Sequence, residues 1–350
     1  MARILAFGPS MVNIWATLPD CRFAELRSRF GAAPGDWVQV KGYEVAEELL
    51  RFVIAGETDE SAPGPCGAHS TRYVQRGVSA GSSTLGMLSA MPGSLRRQAA
   101  YASATAVLDG GIGSFSSYFA AEVLKTGASH LAFMVNGHCP VCFVVSSQHD
   151  SEKVLISYRG VSDEFAGCDV DTLSPDLIVV DSYELSGGSL ADFLHILISA
   201  RRYKIALSLG SHTILRGELL ERVRSYLEQR LIHILCGNTR EYQAVFPELG
   251  TALVDPQFRG HRVGRLVPYA LVTDGPRGMA AYWAGIYVRR VADVLDPDEI
   301  VNTSGPGDTA AGVFCASILQ GLDPADALTM ACDRARQVLT VGASRLECAD

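Results

Sequence analysis

The chain has no run approaching the roughly 18 consecutive apolar residues of a membrane-spanning helix, so no membrane span is expected. Charge is sparse: only 19% of the 350 residues are Asp, Glu, Lys or Arg, and no long block of like charges occurs. Apolar residues make up 48%, and this balance excludes a solvated, disordered chain. Basic residues are in the minority. A formal net charge of -8 argues against a broad phosphate-backbone footprint, so no nucleic-acid partner is expected. The phosphate-binding pattern GxxxxGK(S/T) is absent, which excludes a P-loop. The eight histidines show no metal-ligand spacing. The nine cysteines are scattered and odd in number, which fits reduced thiols better than a disulfide framework. Residues Met1 to Gly8 read as a short strand entering a glycine turn and lack the apolar stretch and cleavage site of a signal peptide. A cytoplasmic location is the resulting expectation.

What is present is an alternation of strands and helices. Leu177 to Val180 is a continuous apolar run, as a strand buried on both faces requires. A helical pattern from Leu190 to Arg201 follows, then a strand Lys204 to Leu209, a helix Gly217 to Glu228 and a strand Ile232 to Cys236. A further strand, Ala270 to Thr273, precedes two helices near Asp308 to Gln320 and Pro324 to Val341. Such alternation predicts an α/β fold with a mostly parallel sheet flanked by helices. Nearer the N-terminus, turn residues Gly31, Pro34 and Gly35 and a helix Glu44 to Ile54 read as a lid-like, β-containing insertion around 14–63 within a single domain spanning 1–350.

Three elements carry candidate chemistry. In Asn302-Thr303-Ser304-Gly305-Pro306-Gly307-Asp308-Thr309-Ala310-Ala311-Gly312, a glycine turn opens directly into an apolar, small-residue helix. The helix start offers backbone N–H groups to a phosphate, and Asp308 in its first turn can cap the helix or face the anion. A plain capped helix explains the same residues. Asn238-Thr239-Arg240-Glu241 follows a buried strand and sets Asn238 and Glu241 on one face at the crevice where α/β ligands bind. These are oxygen ligands suited to a metal–water–phosphate network, although an ordinary helix start has the same pattern. Val272-Thr273-Asp274-Gly275-Pro276-Arg277-Gly278 is a strand and turn that could border a nucleotide or simply form a hairpin.

In this order the three elements resemble the ribokinase-like (PfkB) sugar and nucleoside kinases over nearly the whole chain. The glycine loop looks like that family's N/D-T-x-G-A-G-D signature, and Asn238/Glu241 matches its N-x-x-E motif. Phe23 to Asp36 is similar to the lid of the adenosine kinase and inosine-guanosine kinase branch. The resemblance implies an ATP-dependent kinase acting on a hydroxyl of a nucleoside or sugar. It implies Asp308 as catalytic base, Gly305, Pro306 and Gly307 as the anion hole, and Asn238 and Glu241 organising Mg²⁺ through water without direct ligation. Thr273, Gly275 and Gly278 would border ATP, as would the helix beginning near Pro324. Asn13, Gly67, Ala68 and Thr71 would contact substrate, and a homodimer fits the same picture.

The sequence departs from the family pattern at three places. Asn13 stands where an aspartate is usual, the Gly-Gly-x-x-x-Asn loop reads as Cys66-Gly67-Ala68-His69-Ser70-Thr71, and Pro306 replaces an alanine and removes an N–H. These departures leave open a ligand-binding relative with weakened catalysis, or a kinase of a free sugar. A nicotinamide-dependent oxidoreductase rests only on Gly305-x-Gly307-x-x-Ala310, which has no following parallel strand to complete a βαβ unit. Cys139-Pro140-Val141-Cys142 is a lone CxxC in a strand context and reads as two buried cysteines. Lys153 and Arg159 could meet a ligand, although surface positions explain them as well.

Overall fold

A computed structural model describes residues 3–33, 37–54, 76–107, 115–147, 153–247, 262–293, 295–300 and 305–341. In chain order the elements are β1 (Ile4–Phe7), β2 (Val12–Leu18), α1 (Asp20–Phe30), β3 (Trp37–Val40), α2 (Tyr43–Ile54), β4 (Arg76–Ala80), α3 (Ser83–Ala90), α4 (Gly93–Arg96) and β5 (Ala99–Ala106). Then come α5 (Phe115–Lys125), β6 (Ser129–Val135), β7 (Val141–Ser147), β8 (Lys153–Tyr158), α6 (Val170–Leu173), β9 (Leu177–Asp181), α7 (Gly188–Ser199), β10 (Ile205–Ser208), α8 (Gly217–Glu228), β11 (Ile234–Asn238) and α9 (Thr239–Val245). The last are α10 (Arg262–Leu266), β12 (Tyr269–Thr273), β13 (Met279–Trp283), β14 (Ile286–Arg290), α11 (Pro306–Leu319) and α12 (Pro324–Val341).

Nine strands form one sheet in the order β14-β13-β12-β11-β10-β9-β1-β5-β6. From β6 through β12 neighbouring strands run parallel, and β13 and β14 add an antiparallel hairpin at the far edge. Parallel strands covered on both faces must be apolar throughout, and β1, β5, β9 and β10 are buried at every position. The mostly parallel α/β sheet expected from the alternation is present. Strand order reverses at β1, which lies between β5 and β9, and a crevice therefore opens beyond the carboxyl ends of β1 and β9.

A second sheet, β3-β8-β7-β2-β4, stands over that crevice. Its strands alternate by side. Ile14, Ala16 and Leu18 of β2 join Val141, Phe143 and Val145 of β7 and Leu26 and Leu49 of α1 and α2 in a small separate core. The intervening residues Asn13, Trp15 and Cys142 face the crevice. The insertion expected at 14–63 contributes most of β2, with α1, β3 and α2, but β4, β7 and β8 come from later in the chain. Local patterning does not report such long-range pairing, because strand partners are chosen by register and not by proximity in sequence.

Helix α3 packs on β1 and β9, while α11 packs on β11 and β12 and lies against α3 and α12. The α3–α11 crossing is unusually close. A Cβ at Gly312 would come 2.1 Å from the Met87 carbonyl oxygen, and one at Gly86 would come 3.1 Å from Asp308 Cβ. Two facing glycines thus let the backbones approach. Gly312→Ala should force the helices apart and cost about 1–3 kcal/mol, the usual range for overpacking. Thermal denaturation tests this expectation, and an unchanged melting temperature would contradict it.

Candidate active site

The start of α3 is fixed by hydroxyls. Ser82 Oγ caps the helix by accepting from Leu85 N–H, and it also accepts from Tyr101 Oη at 2.8 Å. Thr84 Oγ1 donates to the Phe7 carbonyl at 3.0 Å, tying α3 to the end of β1. Between these two anchors Ser83 points at α11 and donates to Asp308 Oδ1 at 2.5 Å. A Cβ at Gly81 would lie 2.0 Å from Asn13 Oδ1, so a larger residue here would displace the Asn13 side chain. Gly81 to Thr84 therefore forms the loop that meets Asn13 across the β2–β4 pairing. Gly67, Ala68 and Thr71, expected in that role, lie outside the described residues, and sequence reasoning did not single out Gly81 to Thr84. The Ser82-Ser83-Thr84 run at a helix start was the signal that could have done so.

Two pockets meet at the N-terminus of α11. The first is lined by Met11, Asn13, Trp15, Trp37, Tyr183 and the Gly81–Thr84 loop, with Cys142, Leu155, Arg159, Asp181 and Glu184 in its walls. The second is lined by Ser208, Asn238, Glu241, Thr273 and residues Gly305 to Asp308. Gly305 and Asp308 border both. Gly305 takes φ 89° at the N-cap, and Pro306 occupies a first-turn position where its missing N–H costs nothing to the helix. The amide donors left in that turn are those of Gly307 and Asp308, at the positive end of the helix dipole.

Asn238 and Glu241 form a capping box at the start of α9. Glu241 accepts from the Asn238 N–H at 2.8 Å and from Asn238 Nδ2 at 2.6 Å, while Asn238 Oδ1 accepts from Glu241 N–H at 3.0 Å. The plain helix-start reading and the pocket position thus hold together. Burial, with a further contribution from the Asp308 charge, pushes the Glu241 carboxyl up to about 7 against the two hydrogen bonds from Asn238. Of the three residues expected beside a nucleotide, Thr273 lines the second pocket. Gly275 and Gly278 lie in the turn between β12 and β13 and border neither pocket.

Other lining residues were passed over in the sequence or had a plainer explanation there. Arg159, which surface exposure could have explained, is buried, with Nε donating to Asp163 Oδ1 at 2.6 Å. Asp181 ends β9 with its side chain in the first pocket, and an acid closing an all-apolar strand was a readable sign. Cys139 and Cys142 are buried, and desolvation pushes their thiols up to about 11 and about 12, far from the acidity of a redox pair. Six described cysteines are free, but Cys21 is disulfide-bonded, so the expectation of reduced thiols fails there. Cys21 is half-buried in the first turn of α1 and can reach a partner, unlike the cysteines sealed in the sheets. Among the described residues no cluster of three metal-ligating side chains occurs, and no helix is long and apolar enough to cross a membrane.

A helix start bordered by two pockets, with Gly305 and Asp308 in both, is compatible with the transfer of a group between two ligands. The family to which the chain belongs makes it a phosphotransferase with an alcohol group as acceptor. It belongs to the pfkB family carbohydrate kinases, whose family model matches residues 102–348. Its fold is similar to that of adenosine kinase from Sinorhizobium meliloti, at 19% identity over 99% of this chain and 96% of that one, with a TM-score of 0.74. It is also similar to adenosine kinase from Schistosoma mansoni in complex with 2-fluoroadenosine, at 12% identity over 98% and 97%, with a TM-score of 0.73. A probable sugar kinase protein from Rhizobium etli CFN 42 gives 18% identity over 99% and 96%, with a TM-score of 0.72. No curated protein matches the sequence.

The raised Glu241 carboxyl has a stability consequence. Its folded pKa lies above the ordinary 4.5, so the folded state holds a proton that the unfolded chain loses between about 4.5 and 7. That contribution is fully present below the lower value and is lost as pH rises through the upper one. Glu241→Gln should therefore gain on wild type by on the order of 2 kcal/mol between mildly acidic and mildly alkaline pH. Paired melting curves at the two pH values measure it. A pH-independent difference would contradict the assignment.

Proposed function

We propose that the protein transfers the γ-phosphoryl group of ATP, with Mg²⁺, to a hydroxyl of a nucleoside-like substrate, and that Asp308 is the general base. The observation that carries this reading is the sharing of Asp308 by the two pockets. A base there can take a proton from an acceptor hydroxyl in the first pocket while the Gly307 and Asp308 amides stabilise charge on a phosphoryl oxygen arriving from the second. Asn238 and Glu241 offer hard oxygen donors at the second pocket and would hold Mg²⁺ through water, as an ion that keeps most of its hydration shell requires. When bound, the ion neutralises triphosphate charge. Thr273 supplies a hydroxyl beside the nucleotide. The aromatic walls Trp15, Trp37 and Tyr183 favour a base-bearing acceptor over a free sugar, because flat rings stack on flat rings and a pyranose gains less.

Asp308→Asn keeps the shape of the side chain without its basicity. It should lower kcat by about 10²–10⁴-fold while ATP binding persists. Near-normal turnover would remove Asp308 from the role.

Asn13 sets the character of the acceptor. An aspartate at this place would accept two charge-assisted hydrogen bonds from vicinal hydroxyls. Asn13 has one acceptor oxygen and an NH₂ donor, so an ordinary ribose would present a donor to a donor, a mismatch of about 1–3 kcal/mol. The preferred substrate should carry an acceptor or an altered sugar at that edge. Steady-state rates for purine and pyrimidine ribonucleosides, modified-sugar analogues and free sugars, measured with wild type and Asn13→Asp, test this. The expected result is a gain for ordinary ribonucleosides in Asn13→Asp. Efficient wild-type turnover of such a nucleoside with no gain would overturn the reading, and activity confined to free sugars would replace the nucleoside by a sugar.

A further inference from the structure

The loop from Gly81 to Thr84 touches, at its two ends, the side chain that faces the acceptor and the proposed base. Gly81 lies so close to Asn13 that a Cβ would come 2.0 Å from Asn13 Oδ1. Further along the same loop, the Ser83 hydroxyl donates to Asp308 Oδ1 at 2.5 Å. That bond crosses from the N-terminus of α3 to the N-terminus of α11 and joins residues 225 positions apart in the sequence. Ser83 is held in place by its neighbours. Ser82 and Thr84 are buried, Ser82 Oγ accepts from Leu85 N–H and Tyr101 Oη, and Thr84 Oγ1 donates to the Phe7 carbonyl. Ser83 between them is half-buried and lines the first pocket with Asp308.

We propose that Ser83 is a positioning residue for Asp308: its hydroxyl holds the carboxylate in one orientation at the junction of the two pockets. This inference rests on Asp308 being the base. The terminal torsion of an aspartate is broad, so the carboxylate does not select one orientation by itself. A hydroxyl donating to an ionised carboxylate makes a short, charge-assisted bond, about twice as strong as its neutral counterpart. The same bond favours the ionised form of the acceptor, which is the form a base must have.

The charges around Asp308 give such a donor a purpose. Asp181 faces it from the end of β9 and Glu241 from the first turn of α9. Both are carboxyls, and an ionised carboxyl can only accept. Helix α3 carries no titratable side chain, and β12 and α12 place no charged one in either pocket. From β11 comes Cys236, whose thiol the Cys315 contact and burial hold well above its ordinary value, so it stays uncharged. Arg159, the cation of the first pocket, donates to Asp163 and to the Tyr183 carbonyl.

The test is the acid limb of the kcat/KM profile of the whole protein, on the best substrate of the panel above. Wild type, Ser83→Ala and Ser83→Thr are compared, with melting curves alongside. Ser83→Ala removes a hydrogen bond from the ionised base, so the limb should move up by about one pH unit. Its kcat should fall by about tenfold as the orientation is lost. Ser83→Thr keeps the donor and should restore the limb and most of kcat. A limb that stays in place in Ser83→Ala, or that moves equally in Ser83→Thr, overturns the inference. So does a melting temperature that falls while limb and kcat hold, since that is a structural role alone. Asp308→Asn separates the inference from the reading beneath it. If that variant is nearly inactive while Ser83→Ala leaves the limb unmoved, the base stands and the positioning role falls. If it turns over with its limb in place, the base reading falls and the positioning role falls with it.

Discussion

The close crossing of α3 and α11 is the constraint on which the site depends. Gly86 and Gly312 remove the side chains that would separate the two helices, and Ser83 at one N-terminus can then touch Asp308 at the other. Each helix is separately fixed to the sheet. The Ser82, Thr84 and Tyr101 hydroxyls tie α3 to β1 and β5, and α11 rests on β11 and β12. A base at the meeting of two ligands, the role proposed for Asp308, has to be placed to within about 0.5 Å, and rigid elements do this better than loops. Ordinary side chains at the two glycine positions would preserve the sheet and lose the junction.

Electrostatics at the junction follow from burial. Glu241, at the second pocket, and Asp181, at the first, each lie within the field of Asp308 between them. Three ionised carboxylates so placed would repel one another strongly in a poorly solvated site. Burial relieves this by raising the outer two, Glu241 to about 7 and Asp181 well above the usual carboxylate range, so that Asp308 sits between groups that hold protons readily. The positive end of α11 lies on the same side as Asp308 and favours negative charge there.

Much of this was legible in the sequence, and the limits are physical. The ends of α8 and α12 fall where Gly217 and Pro324 punctuate the chain, and β9 coincides with the apolar run from Leu177. Asn238, Glu241, Thr273 and Gly305 to Asp308 were found because each motif lies within a few residues of a strand end or helix start, and local rules govern both. The first pocket was less readable. Asn13 meets Gly81, Cys142 and Ser79 through strand pairings that span up to 129 residues of sequence, and nothing local specifies such a register. Arg159 looked like a surface charge because its acidic partners come from Asp163, four residues on, and from the distant Glu184. The two tryptophans were ordinary strand residues until Trp37 paired with Leu155 and both lined one wall.

The central claim is that one carboxylate serves both pockets at once. A crystal structure of the protein with a nucleoside substrate and a non-hydrolysable ATP analogue tests it most directly. The account predicts the nucleoside against Trp15 and Trp37, its acceptor hydroxyl within hydrogen-bond reach of Asp308, and the terminal phosphate over the first turn of α11. A nucleoside bound with no hydroxyl near Asp308, or a triphosphate that leaves the Gly305–Asp308 turn uncontacted, would contradict it.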